Sequence, residues 1–418
     1  MNLKPTLLFL GVVTLVSSVN AQEWTRFRGP EGSGISGAKT IPTKWSEGDI
    51  NWKIKLPGTG HSSPVAWGDR LFITTTSDKE GGLSVLCLSA KTGKQLWKKE
   101  FKLNAFRKHK YNSFASTTPA LDAERLYVGW SMPEKYTFAA LTHDGDLVWE
   151  RDLGPFVTQH GSGGSPTIYK DKIILSQEKD ADSFLIALDP RSGKTIWRTP
   201  RDSKVATYGT ASIYRPKGGK EQLLFTSQAH GIYSIDPDTG SVVWDMPGLF
   251  TKRSLCSVTV AGDVAWGSCG SGGGGNYVVA VRPGIPEKNR KPEIAWKINR
   301  SSLSPYVPTS LVKGEYAWLA SDAGYLTCIK HQTGEMVYSE RLAEGGGRGA
   351  GIFSSPIMVD GRIFCVSTQG KVYVVDGGLK FKVLSTYDLG DITHATPAVH
   401  HGRMYVRTEK YLFSVGGK

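Results

Sequence analysis

The stretch Leu185-Ile186-Ala187-Leu188-Asp189-Pro190-Arg191-Ser192-Gly193-Lys194-Thr195-Ile196-Trp197 decides how the chain is read. An apolar run enters a polar turn with a glycine, and a second short strand ends on tryptophan. The phrase returns at residues 86–97 and 234–244, and more loosely at 140–149 and 328–338. The closing aromatics Trp97, Trp149, Trp197, Trp244, Trp296 and Tyr338 lie 52, 48, 47, 52 and 42 residues apart. A period of this size marks a repeat architecture, in which each unit buries its faces only against its neighbours.

Each unit also opens on a small-Ser/Thr-Pro phrase: Ser62-Ser63-Pro64, Thr117-Thr118-Pro119, Gly164-Ser165-Pro166, Ser354-Ser355-Pro356 and Ala395-Thr396-Pro397. Degenerate copies stand at Thr210-Ala211-Ser212, Cys256-Ser257-Val258 and Pro308-Thr309-Ser310. Eight openings, four short alternating strands per unit and turn glycines predict an all-β, eight-bladed β-propeller of four-stranded antiparallel blades. The last unit supplies only three strands before the chain stops. A lone strand at Ile50-Asn51-Trp52-Lys53-Ile54-Lys55-Leu56 is expected to complete it and close the ring, removing exposed sheet edges. The anchors Trp52, Trp97, Trp149, Trp197, Trp244, Trp296 and Tyr338 are expected to pack against the neighbouring blade.

The first 21 residues read as a signal peptide, with Lys4 before an apolar core and Val19-Asn20-Ala21 at the cleavage site. The apolar run is too short to span a bilayer comfortably. The chain therefore divides into a signal peptide (1–21), a lead-in (22–49) and the propeller (50–418), and is expected to be exported, periplasmic or secreted. The five cysteines are an odd number, so at least one is unpaired within the chain. Cys87 and Cys328 occupy a slot that Ala187 and Ser234 fill elsewhere, which asks for a small residue. Cys256 and Cys269 are near enough in sequence either to bridge or to stand free. In blade 5, Gly270 to Gly275 reads as a loop tip, not a phosphate loop, and residues 282–292 read as a solvated turn extension.

The net charge is +13. In a propeller the loops leading into the innermost strands share one face, where ligand groups are expected to gather. These loops carry nine basic residues: Arg107, Lys108, Lys110, Arg201, Lys204, Lys252, Arg253, Arg300 and Arg348. Only Asp202, Glu344 and Asp391 oppose them there. The candidate binding residues are His61, Arg107, His109, Tyr111, His160, Tyr208, Arg253, Tyr306, Arg348 and His394, lining a basic funnel for an anionic ligand or an acidic stretch of a protein partner. No metal site is expected: no pair has helical i, i+4 spacing, and His400-His401 lies in a turn. Export and the lack of an aromatic-basic stacking platform argue against nucleic acid. A monomer without a membrane span is expected.

The repeat from Asp189 to Trp197 resembles the tryptophan-docking repeat of the pyrroloquinoline-quinone (PQQ) propellers over roughly residues 50–415. The resemblance implies two contrasting roles. Quinoprotein alcohol and sugar dehydrogenases hold PQQ and calcium over the propeller axis, whereas the outer-membrane-protein assembly propeller has no cofactor and binds partners. The opening Glu23-Trp24-Thr25-Arg26-Phe27-Arg28-Gly29-Pro30 also resembles the lead-in of exported PQQ-like propellers. The chain departs from the dehydrogenases: it has no adjacent Cys-Cys pair, its funnel loops offer only scattered Asn104, Asn112, Asp202, Glu344 and Asp391 in place of a Glu/Asn/Asp calcium set, and no position is one to which a catalytic Asp carries over. The expected role is thus a non-catalytic binding or scaffold module without a cofactor. The alternative is a PQQ- and calcium-dependent dehydrogenase acting on an alcohol or sugar.

Overall fold

The computed structural model describes residues 23–77, 81–180, 182–203, 205–272, 274–342 and 351–417, so the expected signal peptide lies outside the described residues. Eight sheets form an eight-bladed propeller. Blade 1 holds strands Val65–Trp67, Arg70–Thr76, Leu83–Ser89 and Gln95–Phe101, and blades 2 to 7 repeat this order around the axis. Blade 8 takes three strands from the C-terminal end, Ala398–His400, Arg403–Arg407 and Tyr411–Gly416. Ile50–Lys55 supplies its fourth, antiparallel to Tyr411–Gly416 with Trp52 opposite Ser414. The closure is the one the sequence predicts.

The repeated tryptophan works through a bulge. In all eight blades the pairing of the third and fourth strands shifts register once near the start of the fourth. A bulge there re-aims the following side chain. Trp197 then stands directly opposite Ala187, Trp97 opposite Cys87 and Tyr338 opposite Cys328. The small slot is small because an aromatic ring lies across from it. The indole reaches forward to the turn of the next blade. Trp97 Nε1 donates to the His143 carbonyl (2.9 Å), Trp149 to Pro190 (2.9 Å), Trp197 to Pro237 (3.0 Å) and Trp296 to His331 (2.8 Å).

Each indole also lies on the turn glycine of that next blade. At Gly240 (φ +75°), a Cβ would sit 2.6 Å from the Trp197 ring. Six of the eight blades therefore carry a plug, their tryptophan, seated on a glycine socket of the next blade; blade 6 has Tyr338 and blade 7 has Ser385 in that place. Blade 5 departs: its extension places Gly284 against Trp244, whose Nε1 turns back to Gln222 Oε1 (2.8 Å). Residues 282–292 are thus part of the docking contact, and not solvated throughout, since Ile285 is buried. Tyr338 accepts from Trp318 Nε1 within its own blade (2.9 Å) and meets Phe381 of blade 7 edge-on.

The lead-in does more than precede the ring. Its Ile35–Ser36 segment adds a fifth, parallel strand to blade 7. Before that, the chain crosses from blade to blade. Trp24 O accepts from Ala66 N in blade 1, Thr25 O from Leu121 N in blade 2, and Gly34 O from Met358 N in blade 7. Arg26 reaches the Ala211 carbonyl at blade 4, and Arg28 reaches the Thr309 and Ser310 carbonyls at blade 6. Both arginines are buried, and burial lowers them to about 10 and about 9 respectively. The segment is a strut between blades that are not sequence neighbours.

All five cysteines are buried free thiols, Cys256 and Cys269 included. Cys256 Sγ lies 3.0 Å from Ser268 Oγ, inside blade 5.

Two substitutions separate plug from socket. Trp197→Ala removes a buried indole and is expected to cost about 3–5 kcal/mol. Gly240→Ala keeps the indole but forces a left-handed alanine against it, at about 2 kcal/mol or more. Urea unfolding measures both, and wild-type stability in either variant contradicts the docking account.

Candidate functional site

The phrases that open each repeat assemble the inside of the bore. Ser63, Thr118, Ser165, Thr210, Ser257, Thr309, Ser355 and Thr396, one per blade, all line a single axial cavity. They are also the inner fastening of the ring. At six junctions the backbone N–H of one blade's residue donates to the next blade's hydroxyl: Ser63 to Thr118 (3.0 Å), Thr118 to Ser165 (3.0 Å), Thr210 to Ser257 (2.9 Å), Ser257 to Thr309 (3.1 Å), Thr309 to Ser355 (2.9 Å) and Ser355 to Thr396 (2.9 Å). The Ser/Thr signal was visible in the sequence, but its partner was not, since that lies 41 to 55 residues away.

The cavity has a volume of about 840 Å³. This falls in the range of small-molecule sites. Its wall brings together seven of the ten predicted residues: His61, His109, Tyr111, His160, Tyr208, Tyr306 and His394. Arg253 stands behind His160, its Nη1 2.7 Å from Nδ1. Arg107 is exposed outside the lining, and Arg348 lies outside the described residues, as do Lys204 and Glu344. Arg201, counted among the funnel cations, is buried within blade 3, its guanidinium over the Tyr233 ring at 4.2 Å. The fold thus removes one positive charge from the funnel.

The structure adds residues that sequence reasoning missed. Phe27 of the lead-in and Phe353 line the cavity, beside Lys110, which the sequence already counted among the funnel cations. Phe353 packs on His394 (5.1 Å), and Tyr111 meets both rings edge-on. The loop at 270–275 contributes Ser271, Gly272 and Gly274 to the wall, and Lys252 Nζ donates to the Gly274 carbonyl (2.7 Å). Arg407 is fully buried behind the wall. Its Nη1 donates to the Ser62 carbonyl (3.0 Å) and hydroxyl (2.7 Å), and burial lowers it to about 9.

The imidazoles are kept neutral. His394 Nδ1 lies 3.2 Å from His61 Nε2. Burial takes His394 down to about 4 and His61 well below its usual value, the latter helped by His394, Arg407 and Lys108. Burial, then Arg253 and His109, takes His160 to about 4. Asp322 is the one carboxylate among the described lining residues. Burial raises it to about 7 although it accepts from the Tyr306 (3.1 Å) and Val307 (3.2 Å) amides.

A calcium-bound quinone needs several free oxygen ligands beside it. Here the described lining offers one carboxylate, Asp322, which burial raises to about 7, and the Asn112 and Asn276 amide oxygens bond within their own loops. The described donor set does not fit a PQQ–calcium centre.

Comparison with known proteins follows this geometry. The profile of the family described as outer membrane protein assembly factor BamB matches residues 41–205, 81–339 and 229–410. The chain belongs to this family of PQQ-like propellers. The BamB of Shewanella oneidensis is 25% identical over 340 residues, covering 68% of this chain and 78% of that protein. A polyvinylalcohol dehydrogenase from a Pseudomonas species is also 25% identical, over 262 residues. That match covers 55% of this chain but only 35% of the dehydrogenase's length. Among solved structures, the quinohemoprotein alcohol dehydrogenase of Comamonas testosteroni superposes with a TM-score of 0.66 at 12% identity, covering 95% of this chain and 80% of that one. At that identity it shares the fold. Scaffold and dehydrogenase relatives are both present in the family, and among the described residues no helix is long and apolar enough to cross a membrane.

The depressed imidazoles set a pH trend. Between about pH 6.5 and 4 the unfolded chain takes up protons that folded His160 and His394 refuse, so their contribution is lost as pH falls through that window. Asp322 and Glu178, both raised to about 7 by burial, act in the opposite sense, so the comparison must be differential. The double variant H160Q/H394Q is expected to lose less stability than wild type between pH 6.5 and 4.5 in parallel thermal melts. Identical pH profiles would contradict the neutral-imidazole assignment.

Proposed function

We propose that this protein is an exported, non-catalytic binding module whose axial funnel takes an anionic group, either of a small ligand or of an acidic segment of a protein partner. The observation that carries the reading is the charge and chemistry of one cavity. Lys110 stands in its wall, Arg253 and Arg407 lie behind it, and Asp322 is the one carboxylate opposing them among the described lining residues. Fixed cations behind low-dielectric walls attract anions. Neutral imidazoles and the rings of Tyr111, Phe353 and Tyr208 suit a planar or aromatic body attached to that charge. The eight girdle hydroxyls add hydrogen-bonding groups around the axis.

Relatives in the BamB family favour a scaffold role, and the departure of the donor set from a calcium–quinone centre favours binding over oxidation. Export rests on residues 1–21 read as a signal peptide.

Titration of PQQ, used as a planar tricarboxylate, with and without Ca²⁺ tests both readings on one protein. The proposal expects calcium-independent binding that Lys110→Glu and Arg253→Glu each weaken about tenfold or more, with melting temperatures near wild type. Unchanged affinity in both variants would remove the basic funnel from the account. Calcium-dependent binding with dye-linked oxidation of an alcohol or sugar would establish the dehydrogenase alternative.

A further inference from the structure

Away from the lined cavity, the start of the lead-in meets the seam where the ring closes. His400 ends the innermost strand of blade 8 and is buried, while His401 follows in the turn and is exposed. Their rings stack at 3.8 Å. Glu23, one residue before the Trp24 that bonds to blade 1, places Oε2 3.5 Å from His400 Nδ1. Glu23, His400 and His401 bring one donor atom each within 4.8 Å of one another.

The surroundings orient these donors. One residue holds two of them: the Gly68 carbonyl faces His400 Nε2 at 2.6 Å, and the Gly68 N–H donates to both Glu23 oxygens at 3.2 and 3.1 Å. The short contact to a carbonyl makes Nε2 the protonated nitrogen. Nδ1 then faces the Glu23 carboxylate at 3.5 Å, a contact that a protonated ring makes as an ion pair and a neutral ring leaves for a cation to bridge. Metal-ligating histidines are commonly fixed in this way, the other ring N–H given to a backbone carbonyl and the ligating carboxylate itself hydrogen-bonded. Two imidazoles and a carboxylate suit a borderline divalent transition ion of the zinc type, with further positions open to water.

We propose that Glu23, His400 and His401 form a zinc-type metal site that clips the lead-in to the junction of blades 1 and 8. Glu23 belongs to the lead-in and the histidines to blade 8, so one ion ties two segments from opposite ends of the chain, both already hydrogen-bonded to Gly68 of blade 1. The sequence reading passed over His400-His401 because the spacing within a turn gives no sign that Glu23, 377 residues earlier, completes the set. Binding to the folded state alone raises its apparent stability.

The test uses the untagged full chain, stripped with EDTA and titrated with Zn²⁺ by calorimetry. The expected result is one site per chain and a melting temperature raised by roughly 3 °C or more at saturating Zn²⁺. His401→Ala and Glu23→Gln, both at accessible positions, are each expected to weaken binding at least tenfold and to abolish the thermal shift while melting normally without metal. Co²⁺ loading adds a spectroscopic readout, a visible absorption band that His401→Ala removes. Absence of binding overturns the proposal. So does Zn²⁺ binding that survives both variants, or that is lost instead in His394→Gln, which would place the ion in the funnel.

Discussion

An indole resting on a glycine of the following blade is the contact on which this molecule depends. A four-stranded sheet has two apolar faces and cannot bury both alone. Stacking blades around an axis buries them, but nothing in stacking by itself fixes how far one blade turns against the next. The docked tryptophan does so on the outside, through a directed Nε1–H bond to a turn carbonyl and close contact with a residue that lacks a Cβ. The Ser/Thr girdle fixes the same angle on the inside. With both ends of a blade held, the loops that feed the innermost strands have little freedom, and these loops build the funnel.

The funnel is accordingly anchored by the same contacts that hold the blades. Its histidines come from blades that are distant in sequence, yet His61 and His394 lie 3.2 Å apart because blades 1 and 8 are neighbours across the closure. Burial keeps these rings neutral, so the positive potential comes from Lys110, Arg253 and Arg407. Neutral rings offer both a donor and an acceptor, which suits hydrogen bonding to a ligand more than charge pairing. The lead-in completes the arrangement by strutting the blades with buried guanidinium groups and lining the cavity with Phe27.

Much of this was legible in the sequence, for a physical reason. Repeats advertise local geometry: the turn glycine, the tryptophan four residues later and the small slot opposite it are set by contacts made once per blade. Fold, closure by Ile50–Lys55 and most of the funnel followed from that periodicity. What escaped was whatever the period does not contain. Arg201 sits in a basic loop by sequence but folds over Tyr233, because its side chain follows the outer strand into the blade. Arg407 and Phe353 carry no local signal of proximity to the axis. The strut from Trp24 to Gly34 touches five blades through one or a few contacts each, and a composition of Gly, Ser and Arg reads as linker. The Gly284 docking contact hid inside an insertion that breaks the repeat phrase.

The central claim is that the funnel concentrates negative charge at Lys110 and Arg253. Anomalous diffraction from crystals soaked briefly in bromide would test it directly, because bromide is small, carries no shape preference and is located by its own scattering. The account predicts ordered bromide within the cavity, in contact with Lys110 or Arg253, and its loss in crystals of Arg253→Glu. Bromide ordered only on the outer surface, with the cavity free of it, would contradict the account.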